Sequence, residues 1–321
     1  MHLEEAFSLQ LAQHITAERA YELFWAGTIN DKRAFQCPGE GCTAQVTCAN
    51  LDTLEHDLKV QPHYRPYGEH IEGCPFSEKG PPSSTSSGTK RRDVSTPAVQ
   101  TADVFNLSRP NDHFSQLTST TPSSPKGTRK AGSGGHAQSD GRPRQRHYYS
   151  VTNIVQRWLR FRKKNLLSEV EIRIGTNVLT YEKLFKGVYN QDAKSLEKAQ
   201  HIYWGKAWAS RIASNTGYRI EFNNKMNTEG LLRRPSVLIR DDMIEGYPLK
   251  KLLIKRLTKA IEENNGGCIL FIYGTPIIVP DLRSTTTLAQ NTRSFINFNT
   301  TSLDMIDIQN VNLFKQLKRN R

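Results

Sequence analysis

Residues 201–212 read HIYWGKAWASRI, and how this stretch folds decides the architecture of the chain's larger half. Apolar and polar side chains alternate with a period of two, the pattern of a strand. By that parity Trp204, Lys206 and Trp208 share one face and Tyr203 lies opposite. Residues 217–226 (GYRIEFNNKM) and 234–242 (RPSVLIRDD) read as two more strands, separated by turn-forming breaks at Asn215-Thr216-Gly217 and Glu229-Gly230. Residues 247–267 (YPLKKLLIKRLTKAIEENNGG) then change to a helical period, with Leu249, Leu252, Leu253, Leu257 and Ile261 on one side and a glycine stop. A buried strand over 268–279 (CILFIYGTPIIV) and a last one over 294–299 (SFINFN) follow.

Three strands, a helix and two strands is the element order of an OB-fold barrel. It is a likeness of order only, so the fold class is α+β: a mixed sheet, OB-like, with helices around it. Upstream, residues 150–165 (SVTNIVQRWLRFRKKN) form an amphipathic helix whose apolar face is Val151, Ile154, Val155, Trp158 and Leu159. Residues 170–175 (VEIRIG) alternate as a strand, 180–189 (TYEKLFKGVY) reads as helical, and a short helix closes the chain in 310–321 (NVNLFKQLKRNR).

Charge is unevenly placed. Residues 1–76 carry 5 Lys+Arg against 11 Asp+Glu, while residues 148–321 carry 28 against 15. Such a basic half points to nucleic acid as partner. Aromatics interleaved with cations on a strand face give stacking surfaces for unpaired bases and contacts for phosphates, which favours single strands. The candidate contacts are Trp204, Lys206, Trp208, Arg211 and Arg219, with Arg233, Arg234 and Arg240 as a second surface. Core packing is the competing fate of Trp204 and Trp208. The helix side bearing Lys250, Lys251, Lys255, Arg256 and Lys259 reads as a solvated face that deepens the positive potential. No P-loop, G-x-S-x-G or H-E-x-x-H is present, and His201 is the only histidine after residue 147. This pattern leans against an enzyme. A metal-dependent nuclease is the alternative reading, although Asp241, Asp242 and Glu245 lack the spacing of a D…E-x-K centre and read as a solvated strand end before a helix. A protein–protein adaptor is the third.

Residues 77–147 are rich in Ser, Thr, Pro and Gly and poor in large apolar side chains. They read as a disordered basic linker, with cationic clusters at Lys90-Arg91-Arg92, Arg129-Lys130 and Arg142 to Arg146. The linker parts a domain over 1–76 from one over 148–321.

The N-terminal domain opens with a helix in residues 14–28 (HITAERAYELFWAGT), N-capped by Thr16 and stopped at Gly27. It holds four of the five cysteines. So small a module is hard to stabilise by burial alone, and a metal staple answers that need. "CPGEGC" supplies the pair Cys37 and Cys42, and "HIEGC" supplies His70 and Cys74. Two such pairs make a structural Zn²⁺ site. Cys48 and His63 are the alternative ligands, Cys48 reading more as a small core residue; His56 reads as solvent-facing and Cys268 as core. There is no signal-peptide run and no apolar stretch of about 20 residues, which implies a soluble cytoplasmic chain without membrane association, whose thiols stay reduced.

The stretch "FQCPGEGC…VTCAN…HYRPYGEHIEGCPF" resembles the N-terminal zinc-finger segment of bacterial competence CoiA-like proteins, over about residues 33–76. The resemblance implies Cys37, Cys42, His70 and Cys74 as ligands, a DNA-handling domain beside them, and a setting in DNA uptake, mobile elements or antiphage defence. In the adaptor reading, the zinc module is where a protein partner docks. Beyond this segment the resemblance stops.

Overall fold

The computed structural model describes residues 3–54, 58, 60–77, 102–114, 146–189, 191–196, 200–214, 216–228, 230–280, 294–300 and 302–319. It is α+β. No helix among these residues is long and apolar enough to cross a membrane.

The N-terminal part is a five-stranded antiparallel sheet with one helix. Strands β1 (Glu5–Ser8) and β2 (Gln13–Thr16) lead into helix α1 (Ala17–Ala26), followed by β3 (Phe35–Gln36), β4 (Gln45–Ala49) and β5 (His63–Pro66), in the order β2-β1-β3-β4-β5. The cap residues sit as the sequence predicts: Thr16 Oγ1 accepts the Arg19 N–H at 3.3 Å, and Gly27 stops the helix. Ala20, Tyr21 and Leu23 turn inward onto Phe35, Val46 and Tyr64.

Residues 102–114, expected to be linker, are built into the fold. Strand β6 (Asp103–Phe105) lies in a second sheet between β7 (His147–Tyr148) and β8 (Glu171–Ile174), with β9 (Asn177–Thr180) at its edge. Helix α2 (Val151–Lys163) covers this sheet. Composition does not reveal the short "ADVF", because four residues do not move an average. Phe105 is nonetheless buried, and Asp103 receives Arg157 at 3.1 Å and Tyr181 OH at 2.8 Å. The rest of the expected linker, residues 78–101 and 115–145, lies outside the described residues, with its clusters from Lys90 to Arg144; so does His56.

The segment 180–189 is not one helix. A single turn, α3 (Tyr181–Leu184), gives way to β10 (Phe185–Gly187), which runs parallel to the next strand; α4 (Ala193–Leu196) follows. Phe185 explains the break, because as a strand residue it stacks on Trp158 at 4.6 Å.

The basic half then forms a closed ring of five strands: β11 (His201–Arg211), β12 (Gly217–Phe222), β15 (Pro235–Arg240), β16 (Gly267–Pro280) and β17 (Ser294–Asn299). A small hairpin, β13 (Met226–Thr228) and β14 (Leu231–Arg233), interrupts the chain between β12 and β15. Helices α5 (Asp241–Glu245) and α6 (Lys250–Glu263) precede β16. Pairing runs β11–β12–β15–β17–β16 and back to β11; β15–β17 is parallel and the other four contacts are antiparallel. Inside the ring sit Tyr203, Ala207, Ile220, Phe222, Val237, Ile239, Leu270, Ile272, Ile296 and Phe298, against Leu253 and Leu257 of α6. SFINFN is not the last strand: β18 (Ile306–Asn310) adds to β16, and α7 (Leu313–Arg319) closes the chain.

Arg256, placed by helical spacing on a solvated face, is 5% exposed. Its Nη1 donates to Asp307 at 3.1 Å and to Thr152 at 3.3 Å. The carboxylate partner lies 51 residues away and is invisible to a helical wheel. The two halves also share a core rather than hanging on a tether, since Leu249, at the N-cap of α6, and Leu252 within it pack into the cluster of Tyr21 and Leu23. At this seam Arg109 joins Glu22 of α1 to Asp304, with His113, Asn153 and Tyr247 completing the network.

Candidate metal centre and basic face

The first cysteine pair sits where β3 hands over to β4. Ladder pairing of Phe35 with Val46 and Gln36 with Gln45 closes the loop 37–44 into a tight hairpin end, and the Cys37 N–H donates to Ala44 O at 2.9 Å. Inside the loop the Cys42 N–H donates to Gly39 O at 3.0 Å, and the Gly39 N–H points at Cys37 Sγ at 3.4 Å. Gly39 is required by space: a Cβ there would stand 2.9 Å from Cys74 Sγ. The second pair follows β5 on a loop, with the Cys74 N–H bonded to Ile71 O at 3.1 Å.

These two turns bring Cys37, Cys42, His70 and Cys74 together, with ligand atoms all within 4.8 Å of one another. Cys37 Sγ lies 3.7 Å from Cys74 Sγ. His70 Nδ1 lies 3.5 Å from Cys42 Sγ and 3.4 Å from Cys74 Sγ. The four form a site able to hold a metal ion. The thiols are unlike one another. Burial disfavours ionisation of Cys42, but the N–H groups of Ala44 and Ile71, with His70 and Cys74, outweigh it and bring the thiol down to about 6. Burial pushes Cys37 up to about 12, against the Gly39 N–H.

The alternative ligands fall elsewhere. Cys48 is fully buried in β4, where burial raises its thiol further. His63 begins β5; its Nδ1 faces Gln61 O at 2.8 Å and its Nε2 accepts from Arg65 at 2.8 Å. Cys268 is buried in β16, as expected.

The predicted nucleic-acid contacts divide. Parity holds along β11, but helices cover only half of the outward face. Trp204 packs on Phe271 with rings 6.1 Å apart and 18° from parallel, and on Trp158 at 5.6 Å, so it belongs to the core beneath α2. Lys206 lies over the Phe314 ring at 4.5 Å. Trp208, 52% exposed, emerges beyond that cover. Arg219 is exposed on β12, and Arg233 is half-buried in β14. Three arginines meet carboxylates: Arg211 grips Asp241 at 2.7 and 2.8 Å, Arg240 Nε donates to Asp242 at 3.0 Å, and Arg234 faces Glu221 at 3.5 Å. The two aspartates of the nuclease alternative are thus held in arginine pairs at the start of α5. His201 opens β11 half-buried, its imidazole more acidic than usual because of burial and then the Lys186 charge.

Comparison with protein-family models, with curated proteins and with solved structures found no match to this chain.

Proposed function

We propose that this is a zinc-containing nucleic-acid-binding protein, in which the metal is structural and the five-stranded ring is an OB-like barrel that takes single strands. The donor set supports zinc. Three sulfurs and one imidazole nitrogen are the closed ligand set of structural zinc, with bonds of about 2.3 Å to sulfur and about 2.0–2.1 Å to nitrogen. A tetrahedron with those bonds has edges of about 3.8 Å between sulfurs and about 3.6 Å between sulfur and nitrogen. The separations of 3.7 Å for Cys37–Cys74 and 3.4–3.5 Å for His70 to its two sulfurs fit such edges. Zinc would hold the 37–42 turn to the 70–74 turn and leave no ligand position for a substrate.

The barrel reading is supported by the ring itself: its third and fifth strands, β15 and β17, run parallel, and α6 stands between the third and fourth. Barrels of this kind bind oligonucleotides on the face of their second and third strands. The observation that carries the function is the exposure of Trp208 on β11, at the border of that face, where its ladder partner Glu221 lies on β12 two residues from exposed Arg219. The resemblance of residues 33–76 to the CoiA-like module agrees with a DNA-handling setting.

Two measurements test the proposal. Metal analysis should find about one zinc per chain, lost from Cys37→Ser and Cys74→Ser. Anisotropy of a labelled single-stranded 20-mer should show binding whose log affinity falls linearly with log salt. Both cysteine variants retaining zinc would end the ligand assignment, and a chain that ignores the 20-mer in dilute buffer ends the nucleic-acid reading.

A further inference from the structure

We infer that a single strand crosses the outer face of β11, β12, β15 and β17, stacking one base on Trp208 and another on Phe295, with phosphates against Arg219 and Arg234. The inference rests on the nucleic-acid reading above and adds Phe295, which sequence patterning treats only as part of a strand.

The strand register aligns the face. Trp208 pairs with Glu221, Glu221 with Ser236, Ser236 with Asn297, and Asn297 with Ile277, so these five positions form one outward row. Phe295 is two residues from Asn297, on the same side, and is 48% exposed. Arg219 pairs with Leu238 in the neighbouring row. Two open aromatic rings therefore flank a strip of arginines. Trp208 is held ready: its Nε1–H donates to Asn265 O at 3.1 Å, and a Cβ on Gly266 would stand 2.8 Å from the ring. The turn fixes the ring edge.

Charge selects the occupant. The strip offers Arg219, Arg234 and Arg240, and its carboxylates, Glu221 and Asp242, already face two of them. Exposed pairs of this kind are worth little, so phosphate can exchange for carboxylate. Curvature selects a single strand. Trp208 and Phe295 are three strands apart around a closed ring of five, so a ligand that reaches both must wrap round β12 and β15. A single strand bends that tightly and bares its bases, whereas a duplex is stiff over about 150 base pairs and keeps its base faces stacked on one another.

The test is anisotropy of the full chain with labelled dT20, rU20 and a 20-base-pair duplex, for wild type, Trp208→Ala, Phe295→Ala, Trp208→Phe and Phe295→Tyr. Each alanine should weaken dT20 binding by about 5- to 150-fold, the equivalent of ~1–3 kcal/mol per stacked base. The aromatic replacements should restore most of it, and duplex should bind more weakly than dT20. Binding of rU20 should be weakened by the same two alanines, since a stacking ring reads the base face and not the sugar. If wild type binds with a normal salt slope but both alanine variants match it, the aromatic assignment fails and the broader reading stands. Duplex bound as well as dT20 also sinks the inference. If Phe295→Ala changes only the oligomeric state, Phe295 belongs to a protein contact and the inference falls. No binding by wild type removes both.

Discussion

Arg109 offers the most direct test of how the chain is assembled, because its side chain stands where three distant segments meet. Its Nε and Nη2 donate to Asp304 at 2.9 Å each, and Nη1 and Nη2 reach Glu22. All three side chains are nearly sealed from solvent, at 8%, 8% and 10% exposure. In Arg109→Ala, Glu22 keeps His113 and Asn153, while Asp304 keeps Tyr247. Two buried carboxylates are then left without their cation. Breaking a buried ion pair from one side costs about 3–5 kcal/mol. At roughly 2–4 °C per kcal/mol for domains of 150–250 residues, the thermal midpoint should fall by about 6–20 °C. Arg109→Lys keeps a charge but not the fork, and should fall between the two. Differential scanning fluorimetry reads the midpoint. Limited proteolysis supplies a second reading, since undocking residues 102–114 should expose that segment. A midpoint within 2 °C of wild type for Arg109→Ala, with an unchanged cleavage pattern, would refute the claim that this arginine joins the halves.

Three further outcomes follow from the same geometry. Glu22 is held at about 2, against an ordinary 4.5, because Arg109 and His113 outweigh its burial. A carboxyl more acidic when folded contributes stability that is whole above about 4.5 and lost as pH falls toward about 2, on the order of 3 kcal/mol. Acid titration of stability should therefore steepen in that window, and Glu22→Gln should flatten it; equal slopes would contradict the assignment. Gly39→Ala should lower metal affinity by at least 10-fold in chelator competition, because its Cβ would have to displace Cys74 Sγ or the loop; unchanged affinity would show that the loop has slack. Asp241→Asn should release the Arg211 fork and tighten dT20 binding a few-fold with a steeper salt slope, whereas weaker binding would mean the aspartate positions Arg211 for its ligand.

Legibility in the sequence followed the range of the interactions involved. Parity along 201–211 and helical spacing along 250–263 are set by a residue's near neighbours, and both emerged as strand and helix. The cysteine–histidine cluster was legible because Cys37–Cys42 and His70–Cys74 are local pairs with turn residues between or beside them. What escaped depends on partners far along the chain. The strand 306–310 exists because β16 offers an edge from Cys268 to Ile272. Phe185 leaves a helical pattern because Trp158 and Phe271 wait for it. Parity also cannot say which half of a strand face is covered, and so Trp204 and Trp208, identical by spacing, met opposite fates.

That divergence bears on how the parts work together. α2 and α7 seal the outward face of β11 over Trp204 and Lys206, and the seal ends before Trp208. α2 is tied to the N-terminal module by Asn153 donating to Glu22, and to α6 through Thr152, Asp307 and Arg256. The edge of the exposed face is therefore set by a helix whose position depends on the buried charges at the seam. Loosening that seam should change the boundary between covered and open tryptophan, so Arg109→Ala should alter dT20 affinity as well as stability, even though Arg109 lies in the interior.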